Sequence, residues 1–182
     1  MNKTIYIIRH CKATGQAPDA PLTKKGKEQA KELAAFLSDK NVHRIISSPF
    51  LRAVQTIEPF AAEANLKLET DNRLQERVLS SVSMPDWLEK LEATYKDFNL
   101  KYEGGESSSE ATERIIDAVN DLCASDAENS IIVGHGGIIS LLLHHYNQNA
   151  GIDSWRKLSN PDVYALQISG HDYQLRRIWV EA

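Results

Sequence analysis

The sequence predicts an α/β fold, namely a three-layer α/β/α sandwich with a mostly parallel central sheet and an antiparallel edge. Three observations lead to this prediction. Short apolar runs alternate with longer segments of helical periodicity along the chain. Two of the apolar runs end abruptly in a histidine, as strands do when a loop or a helix start follows. Two strand-like runs also follow each other near the end of the chain, which predicts the antiparallel edge.

The first half of the chain begins this alternation. Residues 4–8 are rich in β-branched and aromatic side chains and predict a buried strand. Thr23 is a suitable N-cap for the helix that follows, whose apolar positions recur at helical spacing. Residues 44–48 predict a second strand. Pro49 suits the first turn of the next helix, and Pro59 should break or kink that helix.

The second half continues the same pattern. The remaining predicted strands comprise residues 66–69, 130–133, 163–168 and 174–180. Residues 84–102 carry an apolar stripe at helical spacing, which indicates a helix. The segment from Ser107 to Glu110 resembles a capping box and predicts a helix that extends to about Ala124.

Length and composition indicate an ordinary globular chain. At 182 residues, with 42% hydrophobic and 25% charged residues, the chain suits a single domain over residues 1–182. Within it, a segment around 78–104 lies between two candidate chemical motifs. That segment is expected either to cover a site or to pack as an ordinary core helix.

Charge and cysteine content limit the classes of partner and compartment. The formal net charge of −4 argues against general attraction to nucleic acid or anionic membranes. The apolar runs are too short for a signal peptide or a membrane span. With only Cys11 and Cys123, a reducing compartment is the simpler interpretation, so a cytoplasmic location is expected. Nothing in the sequence indicates the oligomeric state.

Four cationic features follow predicted strands: the pair Arg9-His10, Arg52, the segment 73–77, and His135. Ligands of open parallel sheets bind at the carboxyl ends of the strands, so these features are expected to converge. The two histidines would then face each other across one anion site. Guanidinium groups match phosphate geometry, which predicts a phosphoryl ligand.

The same residues resemble the motifs of a known family. In order, the motifs are Arg9-His10, Ser48-Pro49-Phe50-Leu51-Arg52-Ala53, Leu74-Gln75-Glu76-Arg77, Gly105-Glu106-Ser107 and Gly134-His135-Gly136. In this order they resemble the histidine phosphatase superfamily, in its phosphoglycerate mutase-like branch. The resemblance extends from Thr4 to about Leu143 and implies an α/β sandwich with a phosphohistidine intermediate.

The resemblance also implies roles for individual residues. His10 would be the nucleophile that takes the phosphoryl group. Arg9 and Arg52 would bind the phosphoryl oxygens, and His135 would donate a further hydrogen bond to them. Glu76 would protonate the leaving oxygen and then help to activate water.

The loop after His10 departs from the family pattern. Cys11 replaces the usual Gly, and Ala13 stands where Ser or Thr is common. Gln16 matches the position of an Asn in mutases and is kept as a candidate phosphate contact. Two interpretations of Cys11 are open: a redox-sensitive thiol with a pKa lowered by the cationic site, or a small filler.

Alternatives remain open for the acid and for metal binding. Glu103, Glu106 and Asp19 are alternates to Glu76 as the general acid. His144 and His145 lie nine and ten residues beyond His135, a spacing that does not bring all three together. No Cys or carboxylate cluster completes a metal site, so neither a metal nor another cofactor is expected.

The leading hypothesis is a phosphatase that hydrolyses a small phosphorylated substrate. The alternatives are a phosphoglycerate mutase or a non-catalytic module that binds phospho-ligands. The resemblance implies that mutases are longer and close the site against water with extra segments. The short cover segment here therefore favours hydrolysis.

Overall fold

A six-stranded sheet forms the centre of the computed structural model, which describes residues 2–180. Its strands are β1 (Asn2–Arg9), β2 (Arg44–Ser47), β3 (Leu68–Thr70), β4 (Asn129–Gly134), β5 (Asp162–Ser169) and β6 (Asp172–Arg177). Their spatial order is β3-β2-β4-β1-β5-β6. The first four strands in that order are parallel, whereas β5 and β6 are antiparallel to their neighbours. The predicted parallel sheet with an antiparallel edge is confirmed.

Helices cover both faces of this sheet. They are α1 (Lys24–Leu37), α2 (Leu51–Ala64), α3 (Trp87–Lys96), α4 (Ser108–Ala124), α5 (Gly136–Tyr146) and α6 (Ile152–Lys157), with a short 3-10 helix at Asn72–Leu74. Helices α1 and α2 pack with Ile131 and Val133 of β4, and α4 and α5 pack with Ile132. Because side chains alternate across a strand, β4 contributes to both cores, and the predicted three layers follow. Within residues 2–180, no helix has both the length and the apolar character needed to cross a bilayer.

The predicted domain extends to residue 182. Met1, Glu181 and Ala182 lie outside the described residues, and the single-domain assignment stays a prediction.

Two helix starts confirm their sequence signals. Thr23 Oγ1 accepts a hydrogen bond from Gly26 N at 2.9 Å at the start of α1. At the start of α4, Glu110 N donates to Ser107 Oγ at 3.1 Å, and Ser107 N donates to Glu110 Oε1 at 3.3 Å. Each cap satisfies a backbone N–H that has no partner within the helix, which stabilises the helix by about 1 kcal/mol.

Two helices differ from expectation. Helix α2 begins two residues after Pro49 and continues through Pro59, so Pro59 does not break it, and the alternative of a kink stays a prediction. Proline removes one helical hydrogen bond, but the buried side chains of Ile57 and Phe60 anchor the helix on both sides of it. Helix α6 was not predicted, because its six residues are too few to show helical periodicity.

The sheet register determines which residues meet at its carboxyl edge. The last residues of β1 and β4 lie opposite each other. The last residue of β2 lies opposite Val133, the penultimate residue of β4. The residues that follow these three strands, His10, Ser48 and His135, therefore emerge side by side. This is the edge at which open α/β sheets bind ligands.

Candidate active site

Two histidine rings face each other at this edge. The ring centroids of His10 and His135 are 5.2 Å apart, and the residues are only 6% and 0% exposed. The backbone N–H of His10 donates to Gly134 O at 3.1 Å, which joins the two turns. The structure thus brings together the two histidines that the sequence analysis places in one site.

His10 is held in a defined tautomer. Its Nδ1 lies 2.7 Å from the carbonyl oxygen of Cys11, which only accepts hydrogen bonds, so Nδ1 carries the proton. Its Nε2 accepts a bond from Arg52 Nε at 3.3 Å. The pKa of His10 is lowered to about 4, chiefly by burial. The hydrogen bond to Cys11 raises this pKa, whereas the positive charges of Arg52 and Arg9 lower it further. At neutral pH, His10 is therefore neutral, and its one ring lone pair, on Nε2, accepts the bond from Arg52.

Arg52 lies in the first turn of α2 and is 1% exposed. Its Nη1 donates to the carbonyl oxygens of Gln16 at 3.2 Å and Ala17 at 2.9 Å. The guanidinium also lies 5.2 Å from the centroid of the Phe50 ring. Gln16 itself is exposed, and it contacts the site through its backbone carbonyl on Arg52. A side-chain phosphate contact from Gln16 stays a prediction.

Arg9 is the last residue of β1, and its guanidinium packs against the start of α5. Its Nη1 donates to Leu158 O at 2.8 Å. Its Nε is buried and has no hydrogen-bond partner within residues 2–180. A Cβ on Gly136 would lie 3.1 Å from both Nε and Nη2, so the absence of a side chain there gives Arg9 its room.

These two guanidinium groups lack the carboxylate partners that most of the other arginines have. Five other arginines form ion pairs: Arg44, Arg73, Arg114, Arg156 and Arg177. Within the described part of the chain, neither Arg9 nor Arg52 has a carboxylate oxygen within 4.0 Å. A buried charge is costly without a counter-charge, so the two cations favour an anionic ligand.

His135 is the N-cap residue of α5 and is held differently from His10. Its Nε2 lies 2.8 Å from Ser48 Oγ, and its Nδ1 is buried with no partner among the described residues. Burial lowers the pKa of His135 to about 2, and the charges of His10, Arg52 and Arg9 add to the effect. The ring therefore stays neutral across the physiological range.

Glu76 approaches the site from the loop after the 3-10 helix. Its Oε1 accepts from Arg77 N and Ile138 N, both at 2.8 Å, and its Oε2 accepts from Gly137 N at 3.0 Å. The carboxylate thus occupies the N-terminal end of α5, where the helix dipole favours negative charge. A Cβ on Gly137 would lie 2.6 Å from Oε1, so this contact needs a glycine there.

Comparison with known families agrees with this arrangement. The family model described as "Histidine phosphatase superfamily (branch 1)" matches residues 5–180. The chain belongs to this superfamily. The match covers both histidines, both arginines and Glu76, which confirms the family resemblance of the sequence motifs. The individual roles of these residues stay predictions.

Sequence relatives of this histidine phosphatase-family chain carry different names. One is "Probable phosphoglycerate mutase GpmB" of Erwinia tasmaniensis, 29% identical over 156 residues, covering 76% of this chain and 72% of the relative. Another is "Putative phosphoserine phosphatase 2" of Hydrogenobacter thermophilus, 28% identical over 157 residues, covering 78% of this chain and 77% of the relative. The two names describe different reactions of small phosphorylated molecules.

Solved structures share the fold. A mycobacterial glucosyl-3-phosphoglycerate phosphatase superposes with a TM-score of 0.77 at 22% identity, covering 96% of this chain and 97% of that one. A phosphoglycerate mutase from Bacillus anthracis superposes with a TM-score of 0.76 at 20% identity, covering 97% and 92%. At these identities the likeness concerns the fold, which is that of the histidine phosphatases.

The alternates to Glu76 lie in other surroundings. Glu106 is bound to Arg114 Nε at 2.6 Å and accepts from Val78 N at 2.9 Å. Burial alone would raise the pKa of Glu106, but these hydrogen bonds lower it, which favours a permanent carboxylate. Glu103 and Asp19 are exposed. Of the four acidic candidates, Glu76 is the one that contacts the start of α5, directly after His135.

The arginines of segment 73–77 do not join the two histidines. Arg73 forms ion pairs with Asp71 and Asp121. Arg77 is 7% exposed, and its Nη1 donates to Thr94 Oγ1 at 3.3 Å and to Ser108 Oγ at 3.0 Å. Arg77 therefore ties α3 to α4 beside the site. The segment converges on the site, as expected, through Glu76 and not through its arginines.

Arg114 is a supporting residue that the sequence analysis missed. Its Nη1 donates to the carbonyl oxygens of Arg73 at 2.7 Å and Gln75 at 2.9 Å, and its Nη2 donates to that of Glu76 at 3.3 Å. It therefore fixes the backbone that carries the Glu76 side chain. In the sequence it is one charged position among several in an amphipathic helix, with no signal that sets it apart.

Cys11 and the remaining histidines are outside this chemistry. Cys11 is fully buried, and burial raises the pKa of its thiol to about 12, which agrees with a small filler rather than a reactive thiolate. Within residues 2–180, no three His, Cys, Asp or Glu side chains form a group that could hold a metal ion.

Proposed function

We propose that this protein is a phosphatase that hydrolyses small phosphomonoesters through a covalent phosphohistidine on His10. One observation carries the proposal: two buried arginines without carboxylate partners flank a buried, neutral histidine. The cations favour a dianionic phosphoryl group, and the neutral ring supplies a nucleophile beside it. Family membership and the phosphatases among the relatives support the same reaction.

In the first step, Arg52 Nε donates to a phosphoryl oxygen instead of to His10, which frees the Nε2 lone pair. This lone pair attacks phosphorus, and the bond from phosphorus to the ester oxygen breaks. The ring gains positive charge, which the Nδ1–H bond to the Cys11 carbonyl stabilises. Arg9, Arg52 and His135 bind the phosphoryl oxygens as charge redistributes. Each charge-assisted hydrogen bond is worth roughly 1.5–3 kcal/mol.

A dianionic phosphoryl group brings its negative charge next to Glu76, which favours the protonated carboxyl over the carboxylate. The leaving oxygen takes this proton from Glu76. Each carboxyl oxygen has two acceptor sites. Oε1 already accepts two N–H groups, whereas Oε2 accepts one, from Gly137. Oε2 is therefore the atom that can carry the transferable proton.

In the second step, a water molecule attacks phosphorus, and the bond from phosphorus to Nε2 breaks. Glu76, now a carboxylate, takes the proton from that water. Inorganic phosphate is released, and His10 returns to its neutral form with the Nε2 lone pair restored.

The cover segment 78–104 favours hydrolysis over mutase activity. We propose that this segment lies over the site, because Tyr95 of α3 hydrogen-bonds to Ser140 of α5, the helix that begins directly after His135. Phosphoglycerate carries a carboxylate as well as a phosphoryl group, so its recognition needs further free cations. The segment has no arginine. Its three lysines, Lys90, Lys96 and Lys101, each lie within 4.0 Å of a carboxylate.

The remaining parts of the proposal concern partners and location. The partner is a small phosphorylated substrate, as the names of relatives and neighbours suggest. The formal net charge of −4 argues against nucleic acid as a partner. Both cysteines are free thiols, which supports a reducing compartment such as the cytoplasm.

The test is hydrolysis of an aryl phosphate by the wild type and by His10→Ala, with rapid acid-free quenching. The wild type should release phosphate and accumulate an acid-labile phosphohistidine, and the variant should do neither. Equal turnover by the two proteins would contradict the covalent mechanism. An inactive wild type that still binds phosphate would favour the non-catalytic module.

A separate assay distinguishes the mutase alternative, which the name of the Erwinia relative raises. Phosphoglycerate isomers are incubated with the protein, and both interconversion and free phosphate are followed. Phosphate release without interconversion is expected. Interconversion without net phosphate release would overturn the choice of hydrolysis.

A further inference from the structure

We infer that Ser48 is a positioning residue that fixes the tautomer of His135, so that the single ring N–H, at Nδ1, is donated to the phosphoryl group. The inference rests on the proposed function, which makes His135 a donor to phosphoryl oxygens. The inference adds that Ser48 is the residue that makes Nδ1 the donor atom of His135.

Ser48 directly follows β2 and is fully buried. Its Oγ lies 2.8 Å from Nε2 of His135 and accepts a hydrogen bond from Phe50 N at 3.2 Å. Its backbone N–H donates to Val133 O at 2.8 Å, which fixes the residue against β4. The hydroxyl oxygen of Ser48 thus accepts one hydrogen bond, from Phe50 N, and also contacts His135 Nε2. What has to be decided is whether the hydroxyl donates its own hydrogen to that nitrogen.

Two arrangements of this contact are possible, and they differ in what they leave unsatisfied. If Nε2 carried the ring proton, it would donate to Oγ, and the Ser48 hydrogen would need another acceptor. The contacts of Ser48 Oγ within residues 2–180 include only Phe50 N and His135 Nε2, so that hydrogen would be buried and unpaired. The lone pair on Nδ1 would be unpaired as well. If the hydroxyl donates to Nε2 instead, the Ser48 hydroxyl and Nε2 are both satisfied, and only the Nδ1–H is left without a partner. The second arrangement leaves fewer buried polar groups unpaired, and the group that it leaves is a donor that an anion can satisfy.

The second arrangement leaves the ring proton on Nδ1, which is buried and has no partner among the described residues. The His135 ring packs against the ring of His10, the proposed nucleophile, and against the ring of Phe50. Since burial keeps His135 neutral, the ring has one N–H rather than two, and its location decides whether the residue can donate to an anion. Ser48 therefore determines, through the tautomer, whether His135 Nδ1 can donate to the phosphoryl group, although Ser48 itself contacts only Nε2 of that ring.

The chain offers a matched control in the preceding residue. Ser47 is also a fully buried serine, but its Oγ donates to the carbonyl oxygen of Ser48 at 2.9 Å and does not contact His135. Ser48→Ala and Ser47→Ala each remove one buried hydroxyl from the same strand end. A purely structural role predicts similar effects, whereas control of the tautomer predicts different ones.

The first measurement is steady-state hydrolysis of an aryl phosphate. Ser48→Ala should lower kcat about 10- to 100-fold, less than the loss of a whole anion donor, because the favourable tautomer becomes rarer but not absent. Ser47→Ala should stay within about threefold of wild type, since it leaves the His135 contact intact. Equal losses in the two folded variants would overturn the inference.

The second measurement reads the tautomer directly and does not depend on turnover. Long-range ¹H–¹⁵N NMR correlations distinguish a protonated from an unprotonated ring nitrogen, and His135→Asn identifies the signals of His135. The wild type should show a proton on Nδ1, and Ser48→Ala should show a mixture. A wild-type ring protonated at Nε2 would overturn the inference even if Ser48→Ala did not fold. That result would leave the proposed phosphatase activity standing, whereas absence of a phosphohistidine would refute that activity whatever the tautomer.

Discussion

The two strand-end histidines are alike in position and differ in how the protein holds them. Both follow parallel strands, both are buried, and burial lowers the pKa of both rings. His10 contacts a backbone carbonyl through Nδ1, whereas His135 contacts a serine hydroxyl through Nε2. The opposite nitrogens also differ: Nε2 of His10 accepts from Arg52, whereas Nδ1 of His135 has no partner within residues 2–180.

This difference shows that the partner of a neutral imidazole decides its chemistry. A carbonyl can only accept, so the bond to Cys11 places the His10 proton on Nδ1 and leaves a lone pair on Nε2. A hydroxyl can donate, so Ser48 can leave the His135 proton on Nδ1. One ring then presents a nucleophilic lone pair and the other an N–H, although the residue type and local fold are the same.

The largest effects are expected from replacing each ring, which tests whether the two histidines have different roles. His10→Asn should lower kcat for an aryl phosphate by about 10⁴-fold or more, because it removes the nucleophile. His135→Gln should lower kcat by about 10²- to 10³-fold, as expected for one lost anion donor. His135→Asn should lose less than His135→Gln, since the Asn amide nitrogen lies near the position of Nδ1. Steady-state kinetics of the three variants measure these losses.

The order of these losses is the test. If His135→Gln lost as much as His10→Asn, the two rings would not have the distinct roles assigned to them. If His135→Gln outperformed His135→Asn, the donor would be Nε2 rather than Nδ1. Circular dichroism of each variant checks that the fold is retained.

Glu76, which contacts the start of α5 next to His135, can be tested as the acid that serves the His10 nucleophile. Glu76→Gln should lower kcat about 10²- to 10⁴-fold for an alkyl phosphate, whose leaving oxygen needs a proton. The loss should be much smaller for p-nitrophenyl phosphate, whose leaving group departs as a stable anion. The measurement is kcat for both substrates with both proteins. A loss that does not depend on the leaving group would show that Glu76 acts by anchoring α5 and not as an acid.

The pH dependence of stability tests whether both rings are neutral in the folded state. An unfolded histidine binds a proton near pH 6.5, whereas folded His10 and His135 stay neutral down to about pH 4 and about pH 2. Between pH 7 and pH 5 the unfolded state therefore binds more protons, and the free energy of unfolding should fall by about 2 kcal/mol for each ring. Urea unfolding at both pH values measures this loss. His135→Asn should lose about 2 kcal/mol less than wild type over the same range, and an identical loss would contradict the assignment.

The sequence predicts the positions of the site residues because a strand and its end leave local signals. The apolar runs before His10 and His135, and the proline after Ser48, locate three strand ends. Parallel pairing then brings those ends to one edge whatever the length of the connections. The convergence of the histidines with Arg9 and Arg52 follows from these local signals.

The sequence does not predict contacts that depend on tertiary packing. Pro59 reads as a helix breaker, yet packing of its neighbours retains the helix. Cys11 next to a cationic site could be a reactive thiol, but only burial in the structure decides against it. Ser48 appears in the sequence as one residue of a motif, and its bond to His135 bridges 87 positions of the chain.

The smallest predicted effect concerns the space between α5 and Arg9. Gly136→Ala would place a Cβ 3.1 Å from Nε and Nη2 of Arg9, so the guanidinium must shift by a few tenths of an ångström. We expect the KM for an aryl phosphate and the inhibition constant of inorganic phosphate to rise about three- to tenfold, equivalent to roughly 0.7–1.4 kcal/mol. The effect on stability should be small, because the better helix propensity of alanine opposes the cost of moving the buried guanidinium. Gly151→Ala, where a Cβ meets nothing within 4 Å, is the matched control and should bind phosphate as wild type does. Unchanged phosphate affinity in Gly136→Ala would mean that Arg9 tolerates the shift. In that case Gly136, which follows His135, would not determine the position of the Arg9 guanidinium next to His10.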